Sequence, residues 1–139
     1  MRRLPILLFL ASSLFGQPIR FAEDRKVFLL TTSQNSYALG IAADRSLRNI
    51  YWGAPLWNLA DLPALAPGRE LSSFDPRQMM ENEEFPGWGG PRYYEPALKI
   101  VRDNGDRDLV LQYVSHRIAQ NDLDIVLKDI RDPIEVTLH

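Results

Sequence analysis

The sequence predicts an all-β fold, an antiparallel β-sandwich, on three observations. Apolar and polar residues alternate at period two in several separate stretches, no long stretch repeats at the 3.6-residue helical period, and turn-forming residues stand between the alternating stretches. Successive strand side chains point to opposite faces, so alternation marks a strand with one face in a core and one in water. Two such sheets must cover each other's apolar faces, which makes a sandwich the expected solution.

Residues 27–32 open the first β-rich region. Tyr37, Leu39 and Ile41 then alternate with Ser36, Ala38 and Gly40, and Ala43, Asp44, Arg45 and Ser46 supply turn chemistry before apolar residues resume at Leu47. Residues 37–52 are therefore predicted to form a hairpin. Residues 53–96 hold seven of the ten prolines and five of the eight glycines, so regular pairing is unexpected and a long Pro/Gly/aromatic-rich central loop is predicted. Within it, Asp75 as cap and Pro76 at the first position predict a short helical turn over residues 75–83. A loop of this length is uncommon inside a compact domain unless it is functional or packed against another body.

In the second β-rich region, residues 96–102 lead into Asp103, Asn104, Gly105 and Asp106, where Asn-Gly predicts a tight hairpin turn. Leu109, Leu111 and Tyr113 alternate beyond it, then Leu123, Ile125 and Leu127, then Ile134, Val136 and Leu138. About seven strands result. The last alternation reaches His139 without a turn residue, which predicts an interrupted strand.

Composition narrows the function classes. The chain has 139 residues, 45% hydrophobic and 24% charged, as expected of one globular domain and too few for a (β/α)₈ barrel, which needs roughly 200 or more. Sixteen Lys and Arg against eighteen Asp and Glu are interspersed, giving −2 and no basic stripe for a phosphate backbone, so nucleic-acid binding is not expected. Cysteine is absent, which removes thiolate chemistry and disulfides. Arg2 and Arg3 before an apolar run over residues 4–15, then Gly16, Gln17 and Pro18, read as a secretory signal peptide. The run is short of the ~20 residues that span a bilayer, so export without a retained membrane segment is expected, cleavage following Gly16 or Ser13.

The polar candidates are sparse. Glu81, Glu83 and Glu84 form the dense acidic cluster, but Glu83 and Glu84 would point apart in an extended chain, and a solvated loop face accounts for them. His116 and His139 lack metal-ligand spacing, and His116 reads as a partly buried, hydrogen-bonded histidine on the face of Val114 and Ile118. No metal or cofactor site is expected, nor is there a nucleophile elbow or a phosphate-binding glycine loop. The aromatic residues are richer: Tyr51, Trp52, Trp57, Phe74, Phe85, Trp88, Tyr93 and Tyr94 fall in and beside the central loop. Such rings fill domain interfaces, and they also stack on the C–H faces of sugars. The interface reading is preferred for the set, with Trp57 and Trp88 as the exceptions expected to contact sugar.

Three segments then carry a resemblance. Leu39-Gly40-Ile41 through Tyr51-Trp52-Gly53, Glu84-Phe85-Pro86-Gly87-Trp88-Gly89 through Arg92-Tyr93-Tyr94-Glu95-Pro96-Ala97-Leu98, and Tyr113-Val114-Ser115-His116-Arg117-Ile118 resemble, in order and spacing, the N-terminal domain of family 36 glycoside hydrolases, mainly microbial α-galactosidases. The resemblance runs from about Val27 to His139. It implies the first part of a β-super-sandwich that precedes a (β/α)₈ catalytic barrel, with the nucleophile and acid/base aspartates of a retaining mechanism both on the barrel. It further implies packing on that barrel, oligomer contacts, and an acidic side chain placed at a galactose site, which falls near Glu70 here, with Asp61 and Asp75 also available for that role. The expected organisation is a signal peptide over 1–16, a linker over 17–26, and an incomplete N-terminal β-sandwich over 27–139 that hydrolyses nothing by itself. The alternative is a free-standing secreted β-sandwich that binds carbohydrate or a protein partner through the aromatic loop.

Overall fold

The computed structural model describes residues 18–62, 82–89 and 95–139, and among these it is all-β. Strands β1 (Ile19–Ala22), β2 (Val27–Thr31), β3 (Ser36–Ile41) and β4 (Leu47–Gly53) form a four-stranded antiparallel meander. Strands β5 (Leu111–Ala119), β6 (Asp122–Asp129) and β7 (Glu135–Leu138) form a three-stranded one. Phe28, Leu39 and Leu47 from the first sheet meet Leu109, Leu111, Ile125 and Leu127 in one buried cluster, so the sheets pack face to face around a shared core.

The two sheets differ in their outer faces. On β6, Ile125 and Leu127 point into the core while Asp124 and Lys128 point away, as the period-two pattern requires. On β2 both faces are covered: Phe28 enters the inter-sheet core, and Val27 and Leu29 pack outward against Leu62, with Leu56 and Leu59 beside them. Four polar side chains hold that covering segment. Arg20 Nη1 donates to the Trp57 carbonyl at 2.9 Å, Arg25 Nη2 to that of Leu62 at 2.9 Å, Thr31 Oγ1 to that of Leu56 at 3.0 Å, and Ser36 Oγ accepts from Leu56 N–H at 2.8 Å. The unbroken apolar run at residues 27–30 thus reflects burial on both sides.

Two β-bulges set which side chains face where. Ala38 pairs with Tyr51 but Leu39 with Asn49, so Ile50 is the extra residue. Without it the side chains beyond would sit on the opposite faces, and Trp52 would not stand opposite Tyr37. In β5 the pairing skips Val114. There the β3–β4 turn docks: Tyr113 N–H donates to the Arg45 carbonyl at 2.8 Å, and Arg45 Nε and Nη2 donate to the Tyr113 carbonyl at 3.0 and 2.6 Å. Residues 82–84 cover the exposed edge of β4, with Asn49 N–H on the Asn82 carbonyl and Glu84 N–H on the Leu47 carbonyl, both at 2.8 Å.

Seven strands lie among the described residues, in line with the expectation of about seven, but their membership differs. A strand, β1, lies inside residues 17–26, expected to be linker, because Ile19, Phe21 and Ala22 have apolar partners on β2 and in the core. Residues 96–102 form no regular strand. Their backbone is used elsewhere, with Ala97 N–H on the Pro86 carbonyl at 2.8 Å and Gly87 bridged to Leu98. The turn at Asp103-Asn104-Gly105 exists, closed by Gly105 N–H to Arg102 O and Arg102 N–H to Asp106 O at 2.8 Å each, but as a three-residue loop in which Gly105 alone has positive φ, +84°. That geometry belongs to the bulged three-residue class rather than the two-residue Asn-Gly class. The helical turn expected over 75–83 falls outside the described residues except at its end, where Glu83 is bridged to Arg48.

Gly105 tests the turn. A Cβ there would meet nothing within 4 Å, so Gly105→Ala changes backbone strain alone. We expect a loss of about 1 kcal/mol, read as a lower urea midpoint at unchanged slope. No loss would mean that the loop adopts another turn.

Candidate functional site

Three tryptophans face solvent among the described residues: Trp52 at 71%, Trp57 at 57% and Trp88 at 41% exposure. Burying any of them against a partner would release a large apolar area, so these rings are where the domain can gain free energy by binding.

Trp57 sits on the segment that covers β1–β3, its carbonyl fixed by Arg20 while its ring faces outward. The backbone is pinned, so little ordering remains to oppose a contact. Trp88 stands between Gly87 and Gly89, and both glycines lie against the chain at residues 108–109 too closely for a side chain. A Cβ on Gly87 would come within 2.3 Å of the Leu109 carbonyl oxygen, and one on Gly89 within 2.6 Å of the Leu109 nitrogen. Leu109 N–H donates to the Trp88 carbonyl at 2.6 Å, so this flush packing presents the indole from a fixed platform. The Trp88 ring borders a pocket of about 160 Å³ with Lys99, Val101 and Arg107, and Lys99 Nζ lies 6.0 Å from the ring centroid. Trp57 and Trp88 are carried by different segments, and no residue of the Trp57 segment lines this pocket. Glu70 lies outside the described residues.

Trp52 forms a third group that sequence reasoning did not single out. Its ring stands edge-on to Tyr37 at 5.1 Å, and the Tyr37 hydroxyl donates to Glu84. Burial, then the Glu84 carboxylate, push the Tyr37 phenol well above its ordinary 10.0, so the hydroxyl stays protonated and keeps that bond. Glu83 and Glu84 are therefore not a solvated loop face: both are half-buried, and Glu84 is bonded through backbone and side chain to β3 and β4. The bulge at Ile50 makes the Trp52–Tyr37 contact, and a bulge has no sequence signature here.

The two histidines have side-chain partners within the fold. His116 is half-buried, its Nδ1 2.7 Å from the Tyr113 hydroxyl and its ring 4.4 Å from Phe21, as expected for a satisfied histidine. Among the described residues no three His, Asp or Glu side chains gather as a metal site, and no helix is long and apolar enough to cross a membrane. On the outer face of the second sheet, Asp124 accepts from Arg117 Nε and Nη2 at 3.2 and 3.1 Å and lies 2.7 Å from His139 Nδ1. The His139 bond, then Arg117, hold the Asp124 carboxyl below its ordinary 3.8, and the Asp124 bond raises His139 above 6.5. The His139 contribution to stability is complete below 6.5 and lost as pH rises through the raised value. The Asp124 contribution is complete above 3.8 and lost as pH falls through the depressed one. An NMR titration should place the His139 midpoint above 6.5, and Asp124→Asn should return it there; an unchanged midpoint in the variant would refute the pairing.

Comparison with known proteins fits this architecture. The model of the glycosyl hydrolase family 36 N-terminal domain matches residues 45–139. No curated protein matches the chain. Among solved structures, the galactosidase domain of the alpha-galactosidase-sucrose kinase AgaSK is similar at 21% identity and a TM-score of 0.67, over 86% of this chain and 20% of that one. The GH36 alpha-galactosidase AgaB from Geobacillus stearothermophilus is similar at 23% identity and a TM-score of 0.64, over 86% and 20% of the two chains. A variant of AgaA from the same organism, in complex with raffinose, is similar at 24% identity and a TM-score of 0.61, over 81% and 19%. At these identities the likeness establishes the fold, and the chain spans about a fifth of the length of these enzymes. With the family model covering most of the sequence, including the Gly-Trp-Gly platform and the whole second sheet, the chain belongs to the glycosyl hydrolase family 36 N-terminal domain family.

Proposed function

We propose that this chain is the N-terminal, non-catalytic portion of an exported α-galactosidase-like glycoside hydrolase, packing on a catalytic barrel and helping to shape its sugar site. The observation that carries the reading is the match of residues 45–139 to the family 36 N-terminal domain, beside a likeness to solved α-galactosidases of whose chains this one covers about a fifth. The exposed rings of Trp52, Trp57 and Trp88 support it, since an apolar partner surface would cover them. Glu70 is the acidic contact to galactose in this reading, and oligomer contacts come from the same loops.

Reading the coding sequence past the His139 codon tests the proposal: codons for a barrel, in frame or one frameshift away, are expected, and a stop with its own terminator would overturn it. The 139-residue chain alone should not hydrolyse a nitrophenyl α-galactoside, and real turnover would refute its non-catalytic role. In the longer enzyme, Glu70→Gln should raise KM with kcat little changed. N-terminal sequencing of the exported protein should begin at Gln17 or Leu14.

The fixed backbones beneath the Trp57 and Trp88 rings favour a second reading, a free-standing carbohydrate-binding module. It requires that galactosides quench tryptophan fluorescence saturably and that Trp57→Ala or Trp88→Ala weakens the effect. Absence of binding at millimolar sugar would eliminate it.

A further inference from the structure

The open end of the sandwich carries a pocket of about 370 Å³, apart from all three tryptophans. Its floor is apolar and spans both sheets: Phe21 and Ile41 from the first, Tyr113 from the second. Its rim is charged, with Glu23 and Lys26 from the β1–β2 turn and Arg45 from the β3–β4 turn. Small-ligand clefts begin at about 300 Å³, so the space suits a compact molecule.

Two features of the rim go beyond what the fold requires. Lys26 and Arg45 have φ of 54° and 65°, two of the three non-glycine residues with positive φ among those described. Glycine or asparagine would adopt these angles with less strain, yet both positions carry long cations that line one pocket. The guanidinium of Arg45 is also fixed. Nε and Nη2 bind the Tyr113 carbonyl, while among the described residues Nη1 takes no hydrogen bond. Lys26 is paired with Glu23, so the net positive charge at the rim is that of Arg45. The Tyr113 hydroxyl is taken by His116 Nδ1 at 2.7 Å, which leaves its ring to meet a ligand.

We propose that this pocket binds a small carboxylate with a flat or branched apolar body, its carboxylate on Arg45 and its body on Phe21, Ile41 and Tyr113. A pre-positioned guanidinium matches carboxylate geometry and holds its charge at any physiological pH. A neutral polyol would press hydroxyls against Ile41, Ala42 and Ala43, and a bare phosphate would leave the apolar floor unused.

The test is an NMR titration of the full 139-residue chain with 3-phenylpropionate and with its neutral amide. Saturable shifts confined to residues 21–26, 41–46 and 113–116 are expected with the acid, and binding about tenfold or more weaker with the amide, because the charged hydrogen bond is lost. Ala43→Phe should fill the pocket and abolish the shifts without touching the Arg45–Tyr113 bonds. No saturable shift at tens of millimolar acid, equal binding of acid and amide, or unchanged binding in a folded Ala43→Phe chain would each overturn the proposal. The acid–amide comparison decides the matter on the wild-type chain even if Ala43→Phe fails to fold.

Discussion

Asp129→Ala should be among the most damaging single substitutions in the described residues, with an expected loss of about 3–5 kcal/mol. The Asp129 side chain is 1% exposed and ends β6 on its core-facing side. Oδ1 accepts from Val110 N–H at 2.8 Å, and Oδ2 accepts from Asp132 N–H at 3.0 Å, Arg131 N–H at 3.3 Å and Arg102 Nη2 at 3.3 Å. Arg102 in turn donates to the Asp108 carbonyl at 2.6 Å and pairs with Asp132 and Asp106. One carboxylate therefore closes the β6–β7 turn, the entry to β5 and the loop at residues 102–108 together. Removing it strands three backbone N–H groups and takes from Arg102 its buried partner, and unsatisfied buried donors cost more than a hydrogen bond gains. Asp129→Asn keeps the shape but turns one acceptor into a donor facing N–H groups, so a smaller loss of about 2 kcal/mol is expected. Urea midpoints at constant slope measure both, and an Asp129→Ala loss below about 1 kcal/mol would show that the hub is dispensable.

This aspartate also shows what the sequence made legible. Alternation at Leu123, Ile125 and Leu127 identifies the core face of β6, and Asp129 continues the same parity, so an acid at a core-facing position was visible. Its partner Arg102 was not, because residues 96–102 lie before the turn with no ladder partner among the described residues, their hydrogen bonds going to Pro86 and Asp106. Alternation reports a half-buried extended chain and is silent on whether a ladder partner exists. β1 was missed for the complementary reason: its four residues, too short for the period to register, pair with β2 from Ile19 to Ala22. Of the candidate site, Trp57 and Trp88 could be nominated from the loop's aromatic content. Trp52 could not, because its position opposite Tyr37 depends on the Ile50 bulge, which shifts side-chain parity without marking the sequence.

The Gly-Trp-Gly platform supplies the second large effect and ties stability to the exposed ring. In Gly87→Ala the new Cβ would lie 2.3 Å from the Leu109 carbonyl oxygen and 3.0 Å from Leu109 Cγ. Leu109 is fully buried in the inter-sheet core, so neither obstacle can swing aside. Either the segment at residues 86–89 lifts away, breaking the 2.6 Å Leu109–Trp88 bond and the Gly87–Leu98 bridge, or Leu109 is driven into a packed core. Overpacking costs about 1–3 kcal/mol and the lost hydrogen bond about 1 more, so a loss of roughly 2–4 kcal/mol is expected. Gly53→Ala is the control: its Cβ would meet the Tyr51 hydroxyl at 2.7 Å, the far end of a side chain that can rotate away, and the loss should be smaller. The first route of relief also moves the Trp88 ring from Lys99, so Gly87→Ala should change tryptophan emission at denaturant concentrations where the chain is still folded. A Gly87→Ala chain as stable as Gly53→Ala, with unchanged emission, would mean that the platform is not built on that close approach.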